Sequence, residues 1–393
     1  MINFAEDSQK NDWCQPMKIN NYPSLFKINL ELTYRCPRKC IYCIQKDMMT
    51  SSYGNEHVST RKELKTQDIF SLFRQASKME VKWINLTGGE PFLRKDILRL
   101  IEFASELSIK TGLPTKHAFS KSQMNSLKDA GLCRIGISLD SHIATVANYL
   151  VGDEHYFVES VENIRLAKAA GLEVMLLPVI NRLTVREFPD FIRFAERLSV
   201  DLVRPQLYSG DPLQIRFSNN RQRKSGRQDL NLKDPVETLK WINTIKSPIL
   251  EKNRPELKTR KDTESSYNSD YSTTCAIGKG LVSVRPDGKV YFCPSMSDYT
   301  VGDIIKESLE DIWYHGKIKK ILFPSRKSFW GTKCYSCSYL DECNKEGRCT
   351  ERCLRHYGRA FAPDPWLCSH FKNQIDFSDR DLNERSRKGT ELG

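Results

Sequence analysis

The sequence predicts a parallel α/β fold followed by a cysteine-rich region, and three observations carry that prediction. Strand-like and helix-like apolar runs alternate from Lys27 to about Leu207. The residues suited to chemistry fall just after predicted strands. Eleven of the thirteen cysteines lie in two separated groups, three between Cys36 and Cys43 and eight between Cys275 and Cys368.

The elements follow in order. Ile28, Leu30 and Leu32 alternate, which predicts a strand ending just before Cys36. Ile69, Leu72, Phe73 and Ala76 have the spacing of a helix over 68–79. Trp83 to Leu86 is a second strand, running into Thr87-Gly88-Gly89-Glu90-Pro91. Ile97, Leu98, Ile101, Ala104 and Leu107 mark another helix. A weak strand is expected near Thr115 to Phe119. Ser120-Lys-Ser-Gln123 reads as a capping box, and Gly131-Leu132 as a helix stop. Arg134 to Leu139 is a strand. A helix from about Phe157 ends at Ala170-Gly171-Leu172, and Glu173 to Ile180 follows as a strand. Thr184-Val-Arg-Glu187 reads as a second capping box, opening a helix lined by Phe188, Phe191, Ile192, Ala195 and Leu198. Leu202 to Leu207 closes the series. Six strands alternating with helices predict right-handed parallel crossovers, in an open doubly wound sheet or a partial barrel. In both, ligands bind beyond the carboxyl ends of the strands. The segments 36–43, 88–90 and 138–140 all lie at such ends, so the active site is expected there.

Composition narrows the function classes. The 393 residues hold 61 basic and 49 acidic side chains, for a net charge of +12, with 39% hydrophobic residues. Such a chain is neither disordered nor membrane-spanning. Its most apolar stretch, Val174 to Ile180, is too short to cross a bilayer and contains Pro178. No export signal is visible between Met1 and Trp13, so a cytoplasmic setting is expected, and cysteines there read as metal ligands before disulfides.

Cys36-x3-Cys40-x2-Cys43 suits a cubane iron–sulfur cluster that keeps one iron open to a small molecule, since four thiolates ordinarily close such a cube. The competing reading is a structural zinc site completed by a distant ligand, although zinc ribbons usually bring two Cys-x2-Cys pairs. Two glycines before Glu90 let the backbone approach a ligand closely, and Pro91 then fixes the turn.

With Tyr42 before its last cysteine and Gly88-Gly89-Glu90-Pro91 downstream, the triplet resembles the radical S-adenosylmethionine superfamily over about residues 27–207. The resemblance implies a partial (β/α)6 TIM-type barrel and a [4Fe–4S] cluster on Cys36, Cys40 and Cys43. Its open iron would bind the amino and carboxylate groups of S-adenosylmethionine. Gly88, Gly89, Glu90 and Pro91 then lie at the amino group, Tyr42 near the adenine and Ser138 near the ribose. Two departures stand out. Thr115-Lys116-His117 replaces the Thr-Asn-Gly common in relatives, and no arginine lies between Asp140 and Gly152, where many relatives have one.

In the C-terminal group, Leu281 to Val284, Pro286-Asp-Gly288 and Val290 to Phe292 read as a hairpin. It is flanked by Cys275 and Cys293 and followed by Cys334-x2-Cys337-x5-Cys343-x5-Cys349-x3-Cys353-x14-Cys368. Eight thiolates suffice for two four-cysteine sites, of zinc or of iron and sulfur. The pattern resembles the SPASM extension over about residues 270–370, which implies two auxiliary iron–sulfur clusters of the [4Fe–4S] type. The resemblance gives Cys334, Cys337, Cys343 and Cys368 to the outer cluster, and Cys275 and Cys293 to the inner. Cys349 and Cys353 depart from the usual spacing, and both are expected to close the inner cluster. Cys14 and Cys133 stay unassigned.

The expected organisation is an N-terminal extension over 1–26, a barrel over 27–210 and a basic helical bridge over 211–274. A SPASM domain over 275–370 and a polar tail over 371–393 complete it. Residues 216–263 hold 13 Lys and Arg against 6 Asp and Glu, densest from Arg221 to Arg227. This stretch reads as a solvated bridge or as a docking surface for an acidic partner. No nucleic-acid motif accompanies it, and neither nucleic acid nor membrane is an expected partner. Only 26 residues precede the first strand, too few for a separate leader-binding domain.

The implied activity is reductive cleavage of S-adenosylmethionine to a 5′-deoxyadenosyl radical. That radical then takes hydrogen from a ribosomally made precursor peptide, installing a crosslink or an oxidation. The partners expected are the precursor, an electron donor such as flavodoxin or ferredoxin, and a separate leader-binding protein or the basic bridge. Sulfatase maturation is the nearest competitor, but those enzymes typically carry an acidic residue where Pro294 stands. A small-molecule dehydrogenase or cofactor-biosynthesis enzyme is a further alternative, and a non-catalytic iron–sulfur or zinc protein is one of another class. Asp140, Asp153, His117 and Tyr299 are candidate bases, and nothing in the sequence selects among them.

Overall fold

The computed structural model describes residues 18–19, 22–43, 62–208, 230–250, 280–293, 300–314, 326–340, 343, 348–357 and 359–371. Cys14, Cys275, Tyr299, the dense basic run 221–227 and the tail from 372 onward lie outside the described residues.

Six parallel strands form the centre: β1 (Lys27–Glu31), β2 (Trp83–Thr87), β3 (Lys110–Thr115), β4 (Arg134–Ile137), β5 (Glu173–Leu176) and β6 (Leu202–Val203). They neighbour one another in chain order, each pair parallel. A doubly wound sheet reverses its order at a switch point, and this one does not. The sheet is therefore the (β/α)6 partial-barrel alternative. Two short parallel segments, Val179–Ile180 and Gln206–Leu207, pair beyond the ends of β5 and β6, which splits both long strands read from the sequence. β3 begins earlier than expected, and 116–119 is loop. Gly112 and Pro114 hid it, and the ladder to β2 ends at Gly112, before the proline can interrupt it.

The crossover helices are α1 (Thr66–Lys78), α2 (Ile97–Glu106), α3 (Lys121–Asp129), α4 (Ala144–Val151), α5 (Tyr156–Ala169) and α6 (Phe188–Arg197). In α1 the predicted stripe Ile69, Leu72, Phe73 and Ala76 is buried, each large side chain worth about 1.5–3 kcal/mol. Ser120 caps α3 in a complete capping box with Gln123. The second predicted box is not formed. Thr184 Oγ1 instead accepts from Asn181 N at 3.0 Å and lies 3.3 Å from Val179 O, and a single 3₁₀ turn over 185–187 leads into α6. α4 was not read from the sequence at all.

Five of these helices leave by one device. After α1, α2, α3, α5 and α6 a residue takes positive φ: Glu80, Ser108, Gly131, Gly171 and Ser199. The next amide then bonds back five residues: Val81 to Ala76 O, Ile109 to Ala104 O, Leu132 to Leu127 O, Leu172 to Ala167 O and Val200 to Ala195 O. Each of those five donors belongs to a buried apolar residue that starts the return to the sheet.

The C-terminal hairpin joins this sheet. β7 (Leu281–Val284) runs parallel to β1, with Val282 opposite Ile28, and β8 (Lys289–Tyr291) and β9 (Thr300–Asp303) continue antiparallel. Gly280 O accepts from Phe26 N and Lys27 N, both at 2.7 Å, and Arg285 faces Glu31 as a buried pair at 4.0 Å. The sheet of the barrel thus continues into this hairpin, giving nine strands in one sheet among the described residues. α7 (Pro235–Thr244), α8 (Leu309–Tyr314), α9 (Thr350–Tyr357) and α10 (Pro365–Phe371) follow. One apolar core runs from Leu25 to Trp313, and a separate small one gathers Phe329, Cys334 and Leu340. No helix among the described residues is long and apolar enough to cross a membrane.

Candidate active site and cysteine centres

The loops beyond β1 and β2 are locked together through two glycines. Gly89 N donates to Thr33 O at 2.8 Å and Glu90 N to Arg35 O at 2.7 Å. A Cβ on Gly89 would stand 2.0 Å from Arg35 O, and one on Gly88 2.8 Å from Thr33 O with φ at +130°. Only glycine allows this approach. The backbone that leads into Cys36 is therefore fixed by the Gly-Gly turn.

The three-cysteine loop is gripped from a second side by the unforeseen α4. Lys39 N donates to Val151 O and Ile41 N to Leu150 O, at 3.3 and 3.0 Å. Arg38, buried in the loop, pairs with Asp153 and Glu159, donates to Lys116 O at 3.0 and 3.2 Å, and stacks over Tyr156 at 5.2 Å. Leu230, where the bridge returns, packs with Leu150 and Tyr208, and with Ile41 and Tyr42 of the loop.

Between these elements lies a largely buried group of charged side chains, Glu90, Lys116 and Asp140. Glu90 is 2% exposed. Its oxygens accept from Thr115 Oγ1 at 2.7 Å, Phe92 N at 3.2 Å and Lys116 N at 2.9 Å. Burial outweighs those bonds and raises its pKa above the usual carboxylate range. Tyr42 donates to Asp140, whose other oxygen accepts from Val179 N at 2.8 Å. Burial pushes the Cys36 thiol up to about 11 and that of Cys40 to about 12, while Lys116 opposes both shifts. The Lys116 ammonium also lies 5.5 Å over the Tyr42 ring. Its own pKa is raised: burial lowers it, but Cys40, Tyr156, Asp140 and Cys36 outweigh that.

Among the candidate bases, Asp153 is committed to Arg38 and Asp140 to Tyr42 and the Val179 amide. His117 packs edge-on to Phe119 and tilted against Phe92, and burial followed by Arg38 lowers its pKa. Ser138, at the end of β4, offers its carbonyl to Tyr156 Oη at 2.9 Å. Pro91 opens the 3₁₀ turn that follows Glu90. Cys133 precedes β4, at the amino end of the sheet and away from the site.

Some of the described C-terminal cysteines lie close enough to act on one another. Cys343 feels the charges of Cys368 and Cys334, and Cys334 that of Cys337. Cys353 feels Cys349. Cys293 is buried at the end of the hairpin and joins the main core. Asp364, fully buried, accepts from Cys349 N at 2.7 Å, from Trp366 N at 3.0 Å and from the Arg352 fork, tying α9 to α10.

Among the described residues, no group of three His, Cys, Asp or Glu side chains closes on one point as around a single metal ion. The donor chemistry nonetheless suits a larger cationic group. Buried thiols ionise only beside positive charge, and burial raises the thiols of Cys36 and Cys40. An iron–sulfur core supplies that charge, beside a cysteine loop that the Gly88-Gly89 turn holds by close backbone contact. Arg38, Lys116, Arg348 and Asp364 were not singled out from the sequence for these roles. The Lys116 departure from Thr-Asn-Gly was the one available signal.

Comparison with known proteins agrees with this geometry. A Radical SAM superfamily model matches residues 30–195, and SPASM, an iron-sulfur cluster-binding domain, matches 275–338. The chain is similar to the PqqA peptide cyclase of Rhizobium meliloti (strain 1021), 27% identical over 295 residues, 72% of each chain. Among solved structures it is similar to Streptococcus suis SuiB bound to the precursor peptide SuiA. The TM-score is 0.65 at 18% identity, covering 85% of this chain and 74% of that one. It is also similar to native anSMEcpe with bound AdoMet, with a TM-score of 0.62 at 17% identity over 88% and 95% of the two chains. At these identities the structures show a shared fold.

Proposed function

We propose, from the premise that this chain is a radical S-adenosylmethionine enzyme with a SPASM extension, that it modifies a ribosomally made precursor peptide by taking hydrogen from one of its C–H bonds. The radical SAM domain uses S-adenosylmethionine and a [4Fe–4S] cluster, and the SPASM domain carries auxiliary iron–sulfur clusters. When bound, the cluster and S-adenosylmethionine supply the radical chemistry, and the protein supplies orientation and a dry enclosure.

In this reading Cys36, Cys40 and Cys43 hold the catalytic cluster and leave one iron open. The backbone of Gly88 and Gly89, with Glu90 and Pro91, receives the amino group of S-adenosylmethionine, Tyr42 adjoins the adenine and Ser138 the ribose. Glu90 also ties the end of β2 to the end of β3 through Thr115 and the Lys116 amide. Arg38 fixes the loop, and α4 with Leu230 excludes water behind it. Cys334, Cys337, Cys343 and Cys368 hold the outer auxiliary cluster, and Cys275, Cys293, Cys349 and Cys353 the inner. A closed inner cluster conducts electrons or holds the wall of the site and leaves the substrate alone.

The observation that carries the reading is the interlock of the Cys36–Cys43 loop with the Gly88–Glu90 turn at adjoining strand ends. A peptide substrate is supported by the PqqA cyclase relative and by the SuiB–SuiA neighbour. The setting is cytoplasmic, with electrons from a flavodoxin- or ferredoxin-type donor. The basic run at 216–230, or a separate leader-binding protein, recruits the precursor. Incubating the anaerobically reconstituted enzyme with precursors encoded beside it, and reading mass changes, tests the substrate class. Cys337→Ala should keep S-adenosylmethionine binding and lose modified product. Unchanged peptide affinity after deletion of 216–230 would remove the basic run from the account.

A further inference from the structure

Arg348 is fully buried, at 0% exposure, between Cys343 and the Cys349–Cys353 turn. Its Nη2 donates to Ala360 O at 3.3 Å and Ala362 O at 2.5 Å, and its guanidinium lies 4.6 Å over the Phe329 ring. Its Nε and Nη1 have no acceptor. No carboxylate pairs with it among the described residues, because the neighbouring Asp364 is taken up by Arg352 and by the Cys349, Trp366 and Leu367 amides. A buried guanidinium with two orphan donors is costly unless an anion belongs beside it.

The surroundings say which anion. Phe329, against which Arg348 stacks, packs with Cys334 and Cys337 in one small core. The charge of Arg348 reaches Cys334, Cys343 and Cys353, where it opposes the burial that raises those thiols. Among the described residues, the sulfurs of Cys334, Cys343 and Cys353 are acceptors within reach of its charge.

We propose that Arg348 is the internal counter-cation of the outer auxiliary cluster, donating Nε and Nη1 to its sulfur atoms and raising its reduction potential. The inference rests on the reading that Cys334, Cys337, Cys343 and Cys368 hold that cluster. Four thiolates outweigh the charge of a [4Fe–4S] core, so the cluster is anionic and becomes more so on gaining an electron. Net charge and hydrogen bonds to sulfur both set such potentials. A fixed cation and two donors therefore favour the reduced form and place this cluster where it accepts electrons more readily than it would in an apolar shell.

The test is a redox titration followed by electron paramagnetic resonance, on full-length protein with Cys36, Cys40 and Cys43 replaced by alanine so that only auxiliary clusters report. Iron and sulfide are counted in every sample. Arg348→Met should move the midpoint of the outer cluster to lower potential, and Arg348→Lys, which keeps the charge but not the fork, should move it less. An unmoved midpoint in a cluster-loaded Arg348→Met protein overturns the proposal. If Arg348→Met loses the iron, Arg348→Lys decides. A loaded cluster with a lowered midpoint supports donation from the guanidinium fork, since the charge is kept, whereas an unmoved midpoint or lost iron makes Arg348 a packing residue only. A parent protein holding no auxiliary iron at all would instead sink the underlying cluster assignment.

Discussion

Replacing Gly89 by alanine tests whether the Gly-Gly turn is rigid support for the cysteine loop. The new methyl would stand 2.0 Å from Arg35 O and 2.6 Å from its carbonyl carbon, so backbone must move by more than an ångström. That movement breaks the bonds from Gly89 N to Thr33 O and from Glu90 N to Arg35 O. Two backbone hydrogen bonds contribute about 1 kcal/mol each and overpacking costs about 1–3 kcal/mol, giving a loss of roughly 3–5 kcal/mol. Gly171→Ala is the control: φ there is also positive, at +71°, but nothing lies within 4 Å, so only the left-handed strain of about 1 kcal/mol applies. At about 2–4 °C per kcal/mol for large domains, Tm should fall by roughly 6–20 °C for Gly89→Ala. For Gly171→Ala the fall should be about 2–4 °C. Calorimetry of the two proteins before cluster reconstitution, followed by iron counting after it, reads both the stability and the loop. Equal losses of Tm with equal iron loading would refute the claim that this approach holds the cysteine loop in place.

Three further outcomes follow. Arg38→Met leaves Asp153 and Glu159 without their cation; because both carboxylates are about a third exposed, the loss is discounted to about 2–3 kcal/mol, read by Tm. The same variant should bind S-adenosylmethionine more weakly, since Arg38 also holds the Lys116 carbonyl. Asp96 is held below the ordinary carboxylate pKa by Arg94 and Thr66, which outweigh its burial, so its contribution is present above about pH 4 and fades as pH falls through the lower folded value. Asp96→Asn should therefore cost stability at pH 7 and progressively less below pH ~4, in urea titrations across that range. Ser108→Gly relieves a positive φ of 58° at the exit of α2 and should raise stability by up to about 1 kcal/mol; a fall by that amount would contradict the shared exit device.

Local signals carried most of the barrel. Local patterns marked five of the six crossover helices and five of the six strands, and Gly131 and Gly171 marked two helix exits because only glycine is unstrained there. The same exit at Glu80, Ser108 and Ser199 was invisible, since these side chains bear the left-handed strain without a glycine to announce it. α4 escaped because eight residues with Ala147, Leu150 and Val151 buried make a short and weak stripe. Long-range partners were beyond any local pattern. β7 finds β1 from more than 250 residues away, and Arg38 meets Asp153 and Glu159 at separations of 115 and 121. At the site, the cysteine spacing and the Gly-Gly-Glu-Pro run were legible because backbone geometry and ligand chemistry both constrain residue type. Arg348 was not, because an arginine between cysteines looks like any other surface cation until its burial is known.

The central claim is that the Cys36–Cys43 loop and the Gly88–Glu90 turn form one S-adenosylmethionine-cleaving centre. Anaerobic reconstitution, iron counting and a reductant-driven assay for 5′-deoxyadenosine, run beside Cys40→Ala, test it most directly. The account predicts 5′-deoxyadenosine from the reconstituted protein and none from Cys40→Ala. Protein that takes up zinc in place of iron and releases no 5′-deoxyadenosine, or a Cys40→Ala variant that releases as much as the parent, would contradict it.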